Sequence, residues 1–144
     1  MTEYIEESLN KDLNMKPRSK EELKSFIDNL IKKRGLNANL NDIDTSEIED
    51  MSFLFYGSKF NGDISRWNVS EVTDISCMFA FSEFNQDISR WDVGKFTDMT
   101  GMLIECPLEK NPPKWYTKWR DENIKPDDSI KAEYQGIYSE IYNA

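Results

Sequence analysis

Histidine is absent from the chain, and cysteine appears only at Cys77 and Cys106. Without histidine the commonest general base is missing, together with every Ser-His or Cys-His nucleophile and most zinc and haem chemistry. Two cysteines are too few for a disulfide framework, and they lack the CxxC spacing of a redox or zinc motif. Long apolar runs are missing as well, since no stretch approaches the roughly 18 residues of a membrane span. Positive charge is scarce: 18 basic against 27 acidic side chains leave a net charge of −9. That balance repels phosphate and disfavours direct binding to nucleic acid or to an anionic membrane. The start, Met1-Thr2-Glu3-Tyr4-Ile5-Glu6-Glu7, is acidic where a signal peptide needs a basic beginning and an apolar run. The expectation is a reduced, cytoplasmic, monomeric protein with no enzymatic activity, no cofactor and no bound metal.

What is present suffices for a core. Leu, Ile, Val and Phe account for 33 of 144 residues, and the aromatic residues number 18. A chain of this length is expected to be one domain and to bury roughly two-thirds of its unfolded surface. Within it lies an internal repeat. Asn61 to Phe84 and Asn85 to Leu108 align without a gap and are identical at 10 of 24 positions. Residues 37–60 fit the same frame more loosely, with Leu40, Ile43, Ile48 and Met51 at the positions of Ile64, Trp67, Val72 and Ile75. Periodicity changes inside each unit. Trp67 and Val69, then Trp91 and Val93, alternate as on a half-buried strand. Ile75, Met78 and Phe79, then Met99, Met102 and Leu103, recur at the spacing of one helical face. Thr73 and Thr97 stand where a hydroxyl would cap such turns. Equivalent strands would stack about 4.8 Å apart, forming apolar ladders and an Asn37/Asn61/Asn85 ladder of buried amides.

The flanks read as caps. Ser19-Lys20-Glu21-Glu22 is a capping box. Leu23, Phe26, Ile27, Leu30 and Ile31 follow at helical spacing, and Gly35 ends the run after Lys32-Lys33-Arg34. Beyond the repeat, Pro112 and Pro113 cannot continue a ladder. Ile130, Tyr134, Ile137, Tyr138 and Ile141 suggest a last helix, and Ile5 and Leu9 a short first one. The expected organisation is an N-terminal helical cap at 1–35, three 24-residue units at 36–108, and a C-terminal cap with a terminal helix at 109–144.

The units Asn61-Gly62-Asp63-Ile64-Ser65-Arg66-Trp67-Asn68-Val69-Ser70 and Asn85-Gln86-Asp87-Ile88-Ser89-Arg90-Trp91-Asp92-Val93 resemble the BspA-like leucine-rich repeat, in its Mycoplasma lipoprotein-type variant FNxDISxWDVSxVTDMxxMF. Residues 43–55 are similar to that family's opening unit, and Cys106-Pro107 through Trp115-Tyr116 to its closing segment, so the resemblance spans about residues 17–116. Gly94, Phe96 and Leu103 depart from the pattern. The resemblance implies an α/β repeat fold, a short right-handed leucine-rich-repeat-like solenoid of about three coils with helical caps at both ends. It further implies a surface for binding proteins and neither an enzyme nor a cofactor. Many such proteins are exported to the cell surface, and the acidic start of this chain lacks their signal.

Charge divides unevenly along the chain. Residues 1–35 carry a net +1, residues 36–108 a net −9 and residues 109–144 a net −1. Asp50, Asp74 and Asp98 share one register, and Asp63 and Asp87 another. Two readings are open for these acids: turn and helix-start caps, or a negative strip that attracts a basic protein. The candidate binding face is the strand side, where Ser65, Arg66, Asn68, Ser89, Arg90 and Asp92 alternate with Trp and Val, joined by Asp63, Asp87, Asp42 and Asp44. Trp67 and Trp91 read as a core ladder or a stacking platform. Trp115, Tyr116 and Trp119 read as cap packing or as a binding hot spot. Asp42-x-Asp44-x-Ser46 opens like a calcium loop, but Glu47 stands where glycine is required and Phe53 where the bidentate glutamate belongs. The functional expectation is a protein-protein interaction module, an acidic intracellular inhibitor or immunity-type protein of bacterial or phage origin that blocks a basic nucleic-acid-binding target. The alternative is a bacterial surface or adhesion protein.

Overall fold

A computed structural model of the chain describes residues 15–123, and its first element, α1, spans Lys20–Arg34. The expected helices through Ile5 and Leu9, and through Ile130 to Ile141, lie outside these residues. The Ser19 hydroxyl accepts from the Glu22 N–H at 3.1 Å, and the Glu22 carboxylate accepts from the Arg18 N–H at 2.9 Å, one residue before the cap. Leu23, Ile27 and Leu30 are buried, and Phe26 and Ile31 pack half-buried against the same core. Each fully buried aliphatic contributes about 1.5–3 kcal/mol. Gly35, at φ +91°, ends the helix, and its N–H donates to the Ile31 carbonyl at 2.7 Å. Lys20 fixes the start of α1 to the chain that follows, its Nζ lying 3.2 Å from Asp50 and 3.1 Å from the Ser52 hydroxyl. Arg34 fixes the end through two hydrogen bonds to Asp42, at 2.9 and 2.8 Å.

The expected α/β leucine-rich-repeat-like solenoid of about three coils is not what is seen. The described residues contain two α-helices, one 3-10 turn and no β-strand. Backbone pairing is reduced to isolated parallel bridges, Asn39 with Asp63, Asp50 with Asp74, and Asp74 with Asp98. The physical reason lies in how the N–H groups divide. Met51, Phe53, Phe55 and Gly57 donate forward to the carbonyls of Asp74, Ser76, Met78 and Ala80, at 2.8–3.0 Å. Ile75, Cys77, Phe79 and Phe81 donate likewise to Asp98, Thr100, Met102 and Ile104. The residues between them close four-residue turns instead, as Leu54 does on Met51 and Ser58 on Phe55. Where a strand was expected, Trp67 and Trp91 close turns on Ile64 and Ile88, so no ladder of pairs can run through them.

The helical face expected at Ile75, Met78 and Phe79 is also replaced by turns. Phe53, Cys77 and Gly101 share a left-handed φ of 60°, 53° and 65°, and Gly57, Phe81 and Glu105 share φ of 65°, 58° and 53°. A left-handed residue at the third position of a turn cannot continue a right-handed helix. Aspartate sets up this path. The Asp50 carboxylate accepts from the Ser52 N–H at 2.8 Å and hydroxyl at 2.6 Å; Asp74 does so from Ser76, and Asp98 from Thr100. Such side-chain acceptors compete with helical pairing. Thr73 and Thr97 cap no helix: their hydroxyls donate to the carbonyls of Glu49 at 3.3 Å and Val72 at 3.0 Å.

The core consists of columns. Phe55 stacks on Phe79 at 5.7 Å and Phe60 on Phe84 at 6.3 Å. Trp67 stacks on Trp91 at 6.5 Å, and Trp91 on Trp115 at 6.2 Å. The indole N–H groups of Trp67, Trp91 and Trp115 donate to the carbonyls of Leu40, Ile64 and Ile88 at 2.9, 3.0 and 2.9 Å. Each tryptophan thus fills apolar volume and satisfies a carbonyl 27 residues earlier. After a 3-10 turn at Pro107–Lys110, α2 spans Lys114–Asn123 and carries Trp115 into the column. The Asn37/Asn61/Asn85 positions are not buried; the Asn61 amide oxygen instead accepts from the Asn85 N–H at 2.9 Å.

Candidate interaction face

The residues of the candidate face are placed by turns rather than by a strand. The Asp63 carboxylate accepts from the Ser65 N–H at 2.9 Å and hydroxyl at 2.7 Å, and Asp87 from the Ser89 N–H at 2.8 Å. Asn68 does the same for Ser70, and the Asn41 amide oxygen accepts the Arg66 N–H at 2.8 Å, tying one unit to the unit before it. These braces leave Asp63, Arg66, Asn68, Asp87, Ser89, Arg90 and Asp92 exposed and Ser65 half-buried. Arg66 and Arg90 form no ion pair among the described residues.

The braces also favour the charged form of the carboxyls. The hydroxyl and N–H of Ser65 hold the Asp63 carboxyl below its usual range, and Ser89 does the same for Asp87. Ser46 lowers Asp44 in the same way. Burial pushes Asp50 upward, but hydrogen bonds from Ser52 and Lys20 outweigh it and the net shift is downward. The Arg34 guanidinium lowers Asp42.

Not every candidate residue joins the face. Asp42 is engaged by Arg34, and Asp44 is half-buried beneath its own turn. Trp115 belongs to the core column, and Trp119 stacks on Tyr116 at 6.1 Å. The place of Trp115 was legible in its spacing, 24 residues after Trp91 and 48 after Trp67. One exposed residue was missed. Phe96 aligns with buried Val72 and Ile48, yet it is 92% exposed, with the Lys95 ammonium 5.9 Å from its ring. In the earlier units Ile48 closes a turn on Thr45 and Val72 on Val69, whereas in the later unit the turn runs from Gly94 to Thr97, one residue along. That slip carries Phe96 outward, four residues beyond Asp92.

At the C-terminal end of the face a groove of about 640 Å³ separates Asp87 and Ser89 from Asn111 and Lys114. Among the described residues there is no group of three or more His, Cys, Asp or Glu placed to hold a metal ion, and no helix long and apolar enough to cross a membrane. Both cysteines are free and buried.

Residues 22–129 match the family described as Mycoplasma protein of unknown function, DUF285. The chain belongs to this family. Comparisons with curated proteins and with solved structures found no match.

Proposed function

We propose that the chain is a non-catalytic protein-binding module whose acidic face engages a basic protein, as an intracellular inhibitor or immunity-type protein of bacterial or phage origin would engage a nucleic-acid-binding target. One observation carries the reading: Asp63 and Asp87 are exposed and in register, each braced by the serine two residues on, which lowers its carboxyl further below the usual range. The concentration of net charge −9 within residues 36–108 supports it, because a one-signed surface speeds association with an oppositely charged partner. Exposed Phe96, four residues after Asp92 in the chain, offers an aromatic anchor. Membership of a Mycoplasma family, and the resemblance of the repeated segments to BspA-like proteins, support a bacterial setting.

The test is binding of basic proteins from the native host to the immobilised chain between about 50 and 500 mM salt. Binding should fall steeply with salt and be lost in the Asp63→Asn/Asp87→Asn double variant, which keeps both turn acceptors. Capture that ignores salt and survives the double variant overturns the acidic-face reading. Detection of the native protein on the cell exterior favours adhesion instead.

A further inference from the structure

The groove at the C-terminal end of the face lies where the third unit has a neighbour but no pairing with it. At the first junction Asn39 bridges to Asp63: the Leu40 N–H donates to the Asp63 carbonyl at 2.9 Å, and the Asp63 N–H to the Ala38 carbonyl at 3.1 Å. At the second junction the Asn61 amide oxygen accepts from the Asn85 N–H at 2.9 Å and from the Gln86 side-chain amide at 3.2 Å. The corresponding groups of the third unit are the Gln86 carbonyl, the Ile88 N–H and the Asn85 side-chain amide, and all three residues line the groove. Among the described residues none of these groups has a hydrogen-bond partner, although Ile88 is buried. A buried main-chain N–H is rarely left so, because the loss is comparable to that of a hydrogen bond.

The chain's own continuation is diverted from these groups. Asn111 holds the register, 24 residues after Asp87, but its N–H closes a turn on the Leu108 carbonyl at 3.1 Å. Pro112 and Pro113 follow it on the far wall and have no N–H to offer. The volume between the walls, about 640 Å³, falls in the range of roughly 300–1,000 Å³ typical of ligand pockets.

We infer that the groove takes an extended segment of the protein partner, which adds to the third unit as Asp63 adds to the first, with lysine or arginine at the bridging residue. The inference rests on the reading that this face binds a basic protein. Three hydrogen bonds define the register. The N–H of the bridging residue donates to the Gln86 carbonyl, its carbonyl accepts from the Ile88 N–H, and the N–H two residues earlier donates to the Asn85 amide oxygen. The bridging side chain then stands next in the column that holds Asp63 and Asp87. Asp63 works against ionisation of Asp87, though Ser89 holds that carboxyl low overall. A third anion in the column is therefore disfavoured and a cation favoured. Lys114 lines the same groove, which limits the match to one basic residue at that register and disfavours a basic run.

The probe is the capped peptide acetyl-Val-Thr-Lys-Thr-Val-amide, titrated into the full isotope-labelled chain and followed through the backbone amide signals by nuclear magnetic resonance. Two comparison peptides carry glutamate in place of lysine, or lysine methylated on its main-chain nitrogen. The Ile88 signal should move saturably with the lysine peptide. Affinity should be about fivefold or more lower for the glutamate peptide and about tenfold lower for the methylated one. Asp87→Asn, which keeps the turn acceptor for Ser89, should abolish the preference for lysine over glutamate. An unmoved Ile88 signal at millimolar peptide overturns the inference, and so does equal binding of the three peptides. Movement of that signal on dilution of the free chain assigns the groove to a second copy and overturns it as well. If capture of basic proteins keeps its dependence on salt and on Asp63 and Asp87 while the peptide fails, the groove assignment falls alone; if capture fails too, both readings fall.

Discussion

Aspartate followed two residues later by serine or threonine is the smallest working unit of this protein. Asp50-x-Ser52, Asp63-x-Ser65, Asp74-x-Ser76 and Asp98-x-Thr100 each join a carboxylate to an N–H and a hydroxyl. The geometry does not need the charge, because Asn68 performs the same bonding for Ser70. Asp63→Asn should therefore leave stability within about 0.5 kcal/mol, whereas Asp63→Ala should cost about 1 kcal/mol through the lost acceptor; urea denaturation distinguishes the two. Acid adds a second check. The carboxyls of Asp42, Asp44, Asp50, Asp63 and Asp87 are lowered in the folded chain, so their contribution is complete above the unfolded value near about pH 4 and is lost as pH falls through the folded values. The melting temperature should be flat from neutrality to about pH 5 and decline below about pH 4.

At the scale of elements, the tryptophan column joins segments that share no secondary structure. Replacing Trp91 with Phe keeps a ring against Trp67 and Trp115 but removes the indole donor to the Ile64 carbonyl, which retains the Trp67 N–H, and leaves part of the buried volume of the larger ring unfilled. Trp91→Phe should cost about 2 kcal/mol, read by chemical denaturation. This column was largely legible in the sequence, because only a fixed spacing places Trp67, Trp91 and Trp115 together. The turns between the columns were not. Ile75, Met78 and Phe79 stand at a spacing that serves a helical face and a pair of consecutive turns equally well. What separates the two is backbone sign at Cys77 and Phe81, and neither residue type announces a left-handed conformation. Gly57 and Gly101 were the visible hints, at the same positions in neighbouring units. α1 was readable because its cap, apolar stripe and terminal glycine all agree. The candidate face was half legible: spacing brought Asp63 to Asp87 and Arg66 to Arg90, but nothing local revealed that Arg34 engages Asp42 or that a one-residue slip exposes Phe96.

For the whole molecule, α1 and the repeated segments share one continuous core, from Leu23 through Phe55 and Trp91 to Tyr116. Unfolding should therefore be a single transition, and weakening α1 should destabilise every part of it. Ser19→Ala is expected to lower global stability by about 1 kcal/mol. Amide exchange at Phe55 and Phe79 should accelerate by the same factor as exchange at Leu30; acceleration confined to α1 would show separate units.

The eight forward bonds from Met51 to Phe81 have an electrical consequence. Their peptide groups point the same way, so their dipoles add into a field along the turns, with carbonyls at the leading edge and N–H groups at the trailing edge. In an α-helix the positive pole lies at the N-terminal end; in this ladder it faces the chain's C-terminal side. The poles are dressed accordingly: the Lys20 ammonium lies 3.3 Å from the leading Ser52 carbonyl, and the Glu109 carboxylate accepts the trailing Glu105 N–H at 2.8 Å. Exchanging these charges, Lys20→Glu with Glu109→Lys, preserves the net charge of the molecule but sets each against its pole, and the resulting loss of stability should shrink as salt screens the field.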